Sequence, residues 1–252
     1  MTVDGFRTEL SRPFVGYDDR VAARFWSEVD AVNARLGVVV RGVERVPEGG
    51  ALLVMNHAFG WDAMLPMAAI RKQTGRRVWA LGEHLWWKLP FMRTLAARVG
   101  TVDGTQEHAQ ELLEAGELVL VMPGGMREAL KPVELRYRLL WGERMGFVRC
   151  AHRARVPIVP IAAIGSDELF AFVGDAYARG RRWLRVDFPL PRPTWARPWQ
   201  KMRELSYCIG EPIEARAYPG EDEAHMLRRV RNEVRGAIEG MIDDALGARV
   251  LG

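Results

Sequence analysis

The chain has 252 residues, 48% of them hydrophobic and 27% charged, with a formal net charge of +4. This is a globular composition with ample material for a core, and it excludes a disordered or repetitive chain. The opening MTVDGFRTEL has no positive-then-apolar signal pattern, and no apolar run approaches the ~18 residues that span a bilayer, so any membrane contact is expected to be peripheral.

Along the chain, Val21, Phe25, Val29, Val32 and Leu36 recur at steps of three or four with charged residues between them. This spacing predicts an amphipathic helix over 17–36, stopped by Gly37 and packed on the domain core. Residues 38–40 and 51–55 read as strands, 62–74 as a helix and 77–81 as a strand. A Trp-rich helical stretch over 83–97 follows, interrupted at Pro90. Then come a helix over 106–115, strands over 118–122 and 158–164, and a helix over 143–155 between those two strands. The alternation of apolar strands with helices predicts an α/β fold with a mostly parallel central sheet flanked by helices. The segment 188–199, with four prolines and two tryptophans, reads as an extended loop. A strand over 206–209 and a helix over 222–246 close the sequence. Neither a linker nor a repeat breaks it, so 1–252 is read as one domain: an N-terminal helix over 1–36, an α/β core over 37–215 and a C-terminal helical part over 216–252.

The stretch ALLVMNHAFGWDAM, residues 51–64, concentrates the chemistry. A strand runs into Asn56 and His57, then Gly60, then Asp62 at the head of a helix. On a continuous helix His57 and Asp62 would point about 140° apart. A turn at Gly60 lets them meet, so that Asp62 accepts from one ring nitrogen and leaves the other free to take a proton. The simpler reading makes Asp62 a helix N-cap and His57 a strand-end residue bonded to backbone. A second block, LVLVMPGGMREAL over 118–130, is a strand ending in Pro123, Gly124 and Gly125, followed by Arg127 and Glu128. A Gly-Gly turn there exposes backbone N–H groups beside the Arg127 donors, which suits an anion or an oxyanion. The bland alternative is a tight turn with Arg127 and Glu128 as surface charges.

Strand, N-H-x4-D, then helix resembles the glycerolipid acyltransferase superfamily. In its phospholipid-making members the second block reads F-P-E-G-T-R-S, which Pro123, Gly125 and Arg127 match, while Gly124 replaces the glutamate. The form P-G-G-x-R-E is similar to the monoacylglycerol and diacylglycerol acyltransferase-like branch. Val156-Pro157-Ile158-Val159-Pro160 and Gly210-Glu211-Pro212-Ile213 resemble two later blocks. The family's arginine after a glycine is missing between Gly100 and residue 110, which argues for a neutral acceptor, whereas Arg127 argues for a phosphorylated one.

The resemblance implies the glycerol-3-phosphate acyltransferase-like fold. It also implies acyl transfer from an acyl thioester (acyl-CoA or acyl carrier protein) to a glycerolipid hydroxyl, with His57 as catalytic base oriented by Asp62. Asn56, Gly60, Pro123, Gly124, Gly125, Arg127, Glu128, Glu83 and His84 are then expected around the substrates. No cofactor and no metal are expected, since the histidines and the distant Cys150 and Cys208 fit no ligand spacing. Nor is a nucleic-acid partner, because the basic residues are dispersed. The expected location is cytoplasmic, peripheral on the inner face of the membrane; the oligomeric state is left open. A non-catalytic lipid-binding protein on the same fold is the competing reading, and it requires His57 and Asp62 to stand too far apart to bond.

Overall fold

The structure is a computed structural model that describes residues 9–58, 62–84, 87, 90–129, 131–169, 182 and 204–251. Its centre is a seven-stranded sheet in the order β1-β7-β6-β2-β5-β3-β4. The strands are β1 (Val39–Arg41), β2 (Ala51–Met55), β3 (Val78–Gly82), β4 (Thr101–Asp103), β5 (Leu118–Val121), β6 (Ile158–Ile164) and β7 (Ser206–Ile209). Strands β6, β2, β5, β3 and β4 are mutually parallel. β7 is antiparallel to β6 and parallel to β1, so the mostly parallel sheet has a reversed edge.

Every residue of β2 and of β6 is buried, which explains their unbroken apolar runs: both sheet faces are covered. The pleat divides them between two cores. Leu52 and Val54 pack on the face covered by α4 (Gln106–Glu114), α6 (Gly146–Ala154) and α7 (Glu223–Leu251). Ala51, Leu53 and Met55 pack on the face covered by α1 (Asp19–Leu36), α2 (Met64–Thr74) and α3 (Pro90–Val99). Helix, sheet and helix layers follow from this alternation.

Helix α1 begins where Asp18 accepts from the amides of Arg20 and Val21, and ends at Gly37 in the left-handed region. Its buried face is Ala22, Trp26, Val29 and Asn33, about one residue round from the expected stripe, and Val32 is exposed. Two side-chain bonds explain the rotation. Trp26 donates to the Val99 carbonyl and Asn33 to the Leu65 carbonyl, so a polar residue is drawn into the packed face. In the 83–97 stretch the break expected at Pro90 is the start of α3, since proline is preset for the first helical position. β4 was not expected at all: three residues are too short to show an alternation. The loop expected over 188–199 lies outside the described residues.

Candidate active site

From β2 the chain crosses over β5 to reach β3, and from β5 it crosses over β2 to reach β6. Neighbouring parallel strands whose outgoing connections pass to opposite faces of the sheet, here into α2 and α6, leave a crevice at their carboxyl ends, the usual place for a site in an open α/β sheet. His57 follows β2 and the Pro-Gly-Gly turn follows β5, so the two sequence blocks meet at that crevice.

There His57 Nδ1 stands 3.1 Å from Asp62 Oδ1 and 3.4 Å from Oδ2, and the Ala58 amide donates to Oδ2 at 2.7 Å. Asp62 is fully buried and His57 nearly so. Helix α2 starts after Ala63 with no side-chain cap, so Asp62 spends its carboxylate on the imidazole and the Ala58 amide rather than on capping. An ionised Asp62 requires the proton on Nδ1, which leaves the Nε2 lone pair open, and Nε2 has no hydrogen-bond partner among the described residues. Gly60, expected to make the turn between them, lies outside the described residues.

Burial works to lower the His57 pKa, but the Asp62 carboxylate and, more weakly, Glu128 outweigh it against Lys131, and the net result is above the ordinary 6.5. For Asp62, burial pushes upward, and the His57 charge and hydrogen bond together with the Ala58 amide bring it below the ordinary 3.8.

The surroundings hold the His57 backbone at both ends. Glu128, fully buried in the short helix α5 (Gly125–Ala129), accepts from the His57 amide at 2.8 Å through Oε1 and from the Leu140 amide at 2.7 Å through Oε2. Lys131 Nζ donates to the His57 carbonyl at 3.1 Å and pairs with Asp167 Oδ1 at 2.9 Å, both side chains buried. Asp167 in turn accepts from the Tyr137 amide, and Tyr137 bonds Glu168 and the Gly165 amide. Burial raises both Glu128 and Asp167 above the ordinary carboxylate values, with Lys131 opposing in each case. Asn56 extends the β2–β6 ladder by one step: its amide donates to the Ala163 carbonyl and accepts from the Ala163 N–H.

The other expected site residues divide clearly. Arg144 donates to the Pro123 and Gly124 carbonyls and so clamps the turn. Gly125 has a positive φ of 55° within it. Arg127 is exposed, with no partner among the described residues. Asn56 and Glu128, expected at the substrate, have their polar atoms engaged with the protein's own backbone. Glu83 and His84 lie exposed beyond the end of β3, which β5 separates from β2, and His84 Nδ1 is 2.5 Å from Asp103 Oδ1. Lys131, Asp167 and Arg144 had no sequence signal, since their partners lie up to 74 residues away and no local pattern marks them. A cleft of about 420 Å³ opens beside the turn, between Leu52, Leu81, Val121, Pro123, Arg144 and Phe147.

Fold and site together define an open-sheet α/β protein with a buried histidine–aspartate pair where two crossovers leave to opposite faces of the sheet. The Acyltransferase family model matches residues 37–164, just over half of the chain, and the chain belongs to that family. It is 32% identical over 209 residues to a mouse protein named DGAT1/2-independent enzyme synthesizing storage lipids, covering 82% of this chain and 60% of the relative. It is 31% identical to the human protein of the same name, covering 82% and 61%. An uncharacterised protein of Mycobacterium tuberculosis is 30% identical over 84% of this chain and 62% of its own length. The chain thus spans about three fifths of the length of these relatives. The crystal structure of the 1-acyl-sn-glycerophosphate (LPA) acyltransferase PlsC from Thermotoga maritima superposes with a TM-score of 0.55 at 19% identity, covering 94% of this chain and 88% of that one; the likeness is one of fold.

Proposed function

We propose that this protein transfers a fatty acyl group from an acyl thioester, acyl-CoA or acyl carrier protein, to a hydroxyl of a glycerolipid. His57 is the general base and Asp62 the group that orients it. The observation that carries this reading is the 3.1 Å contact between His57 Nδ1 and Asp62 Oδ1 in a buried crevice, which leaves Nε2 as the proton acceptor. The acceptor oxygen attacks the thioester carbonyl as Nε2 takes its proton; the tetrahedral intermediate then collapses and expels the thiol, which recovers the proton. The competing lipid-binding reading requires an unbonded pair, and the geometry opposes it. The apolar cleft beside the Pro123 turn has the volume of a small-molecule site and offers a place for the acyl chain. We assign a neutral acceptor, mono- or diacylglycerol, ahead of lysophosphatidic acid. The relatives named for storage-lipid synthesis support that choice, as does the absence of an arginine between Gly100 and residue 110.

The test is thiol release from a long-chain acyl-CoA with each of these acceptors. Release should be acceptor-dependent, fall by about 10²–10⁴-fold in His57→Ala, and rise with pH through a midpoint above 6.5 as the imidazole loses its proton. Undiminished release in the variant would show that the base lies elsewhere.

Such substrates are insoluble in water, so the protein is proposed to work bound peripherally to the inner face of a membrane. No described helix is long and apolar enough to cross one. Phe14, Val15 and Phe91 are exposed apolar residues available for shallow contact. Co-sedimentation with anionic liposomes at low salt is expected, and its failure removes this placement.

A further inference from the structure

Gly124 stands where the resembling block P-E-G-T-R carries a glutamate, yet a carboxylate fills the spot. A Cβ added to Gly124 would overlap Glu128 Cβ and Oε2 and lie 2.5 Å from the Glu128 carboxyl carbon. That last separation is the one between two atoms joined through a single carbon, as a glutamate's own Cβ and carboxyl carbon are. Helix α5 brings this about, since it folds residue 128 back over 124 one turn earlier. A glutamate at 124 could therefore bring its carboxyl carbon to the same place from the other side, with its oxygens turned from the Glu128 positions, because the added Cβ lies nearer to Oε2 than a glutamate's own Cβ and Oε stand. What occupies that place is specific: one oxygen takes the His57 amide and the other the Leu140 amide.

We propose that Glu128 is the positioning residue for His57 and that its carboxylate replaces, from one helical turn away, a carboxylate carried at position 124. The assignment rests on His57 being the base. The His57 amide is then held by Glu128 and its carbonyl by Lys131, so the residue that presents Nε2 is fixed at both ends of its own backbone. Gly124 is obligatory while residue 128 carries a side chain in this place, because an added Cβ overlaps Glu128 Cβ as well as the carboxylate.

A cycle of variants in the full chain tests this, with acyl transfer and thermal melting measured on each. Glu128→Ala should lower kcat by about 100-fold with KM changed less than about 3-fold, the split expected of a lost transition-state geometry. Its pH–rate rise should also move to lower pH. Asp62 and Glu128 are the negative groups facing His57 and Lys131 the positive one, and removing Glu128 leaves the imidazole easier to deprotonate. Gly124→Glu alone should be poorly folded. The double variant Gly124→Glu/Glu128→Gly, which also removes the overlapping Cβ that alanine would leave, should regain at least about 10-fold over Glu128→Gly alone and return the pH–rate curve toward that of the wild type, a coupling that independent sites do not show.

A folded double variant no better than Glu128→Gly overturns the proposal. Should Glu128→Ala melt below assay temperature, Glu128→Gln serves instead. It keeps the shape but can accept from only one of the two amides, and near-wild-type kcat in it likewise overturns the proposal. His57→Ala, assayed alongside, is expected to lose about 10²–10⁴-fold. Undiminished activity in that variant would sink the general-base reading, whereas that loss with no rescue sinks only the role of Glu128.

Discussion

Asp62→Asn should leave a folded protein that has lost about 10⁴-fold in kcat, the scale seen when a catalytic histidine is forced into its other tautomer. The geometry dictates which way the new amide turns. The Ala58 N–H points at Oδ2, so the asparagine carbonyl must take that place and the NH₂ must face His57 Nδ1. Nδ1 then accepts, the proton moves to Nε2, and the lone pair proposed to take the hydroxyl proton is gone. No buried charge is left unpaired by the change, so thermal melting should shift far less than the rate. A kcat within about 10-fold of wild type would mean that Asp62 serves folding and that His57 is oriented by something else.

The same pair makes stability and activity pull in opposite directions with pH. His57 has a folded pKa above 6.5, so its contribution to stability is complete below 6.5 and is lost as pH rises through the folded value. Asp62 has a folded pKa below 3.8, so its contribution is present above 3.8 and is lost as pH falls through the folded value. The pair therefore stabilises the fold most between those limits, while the base proposed for transfer forms above the upper one.

Lys131→Met should cost about 3–5 kcal/mol, because it leaves the Asp167 carboxylate buried without its cation. At about 2–4 °C per kcal/mol for a chain of this size, the melting temperature should fall by roughly 6–20 °C. Adding Asp167→Asn should restore much of that loss. The asparagine carbonyl can still accept from the Tyr137 amide, and no lone charge remains in the core. Activity should not return with it, since the His57 carbonyl has lost the Lys131 donor in both variants. Recovery of stability and rate together would mean that the ion pair acts on folding alone, and a single variant as stable as wild type would show that the pair is not buried in solution.

What could be read from the sequence was whatever is local. His57 and Asp62 are five residues apart with a glycine between them, and a strand and helix on either side made their meeting readable. The fully buried strands β2 and β6 announced themselves through unbroken apolar runs. Asn56 shows the limit: its place before His57 was plain, but its partner Ala163 is 107 residues away and becomes a neighbour only when β6 pairs with β2. Glu128 was legible as part of a motif, yet its direction was not. Whether it faces water or folds back over Gly124 depends on a helix of five residues, too short to leave a periodic trace. Asn33 misled for a similar reason. A polar side chain counts against a buried helix face until its acceptor, the Leu65 carbonyl, is in view.

The shared volume of Gly124 and Glu128 also constrains how such a site can change over evolutionary time. Moving the carboxylate from one position to the other takes two substitutions, and either intermediate has both side chains in one space or neither. Each intermediate is disfavoured on its own, so drift by single steps is blocked. Among relatives, residues at these two positions should therefore switch as a pair, dividing the lineage into two groups that do not exchange members one mutation at a time.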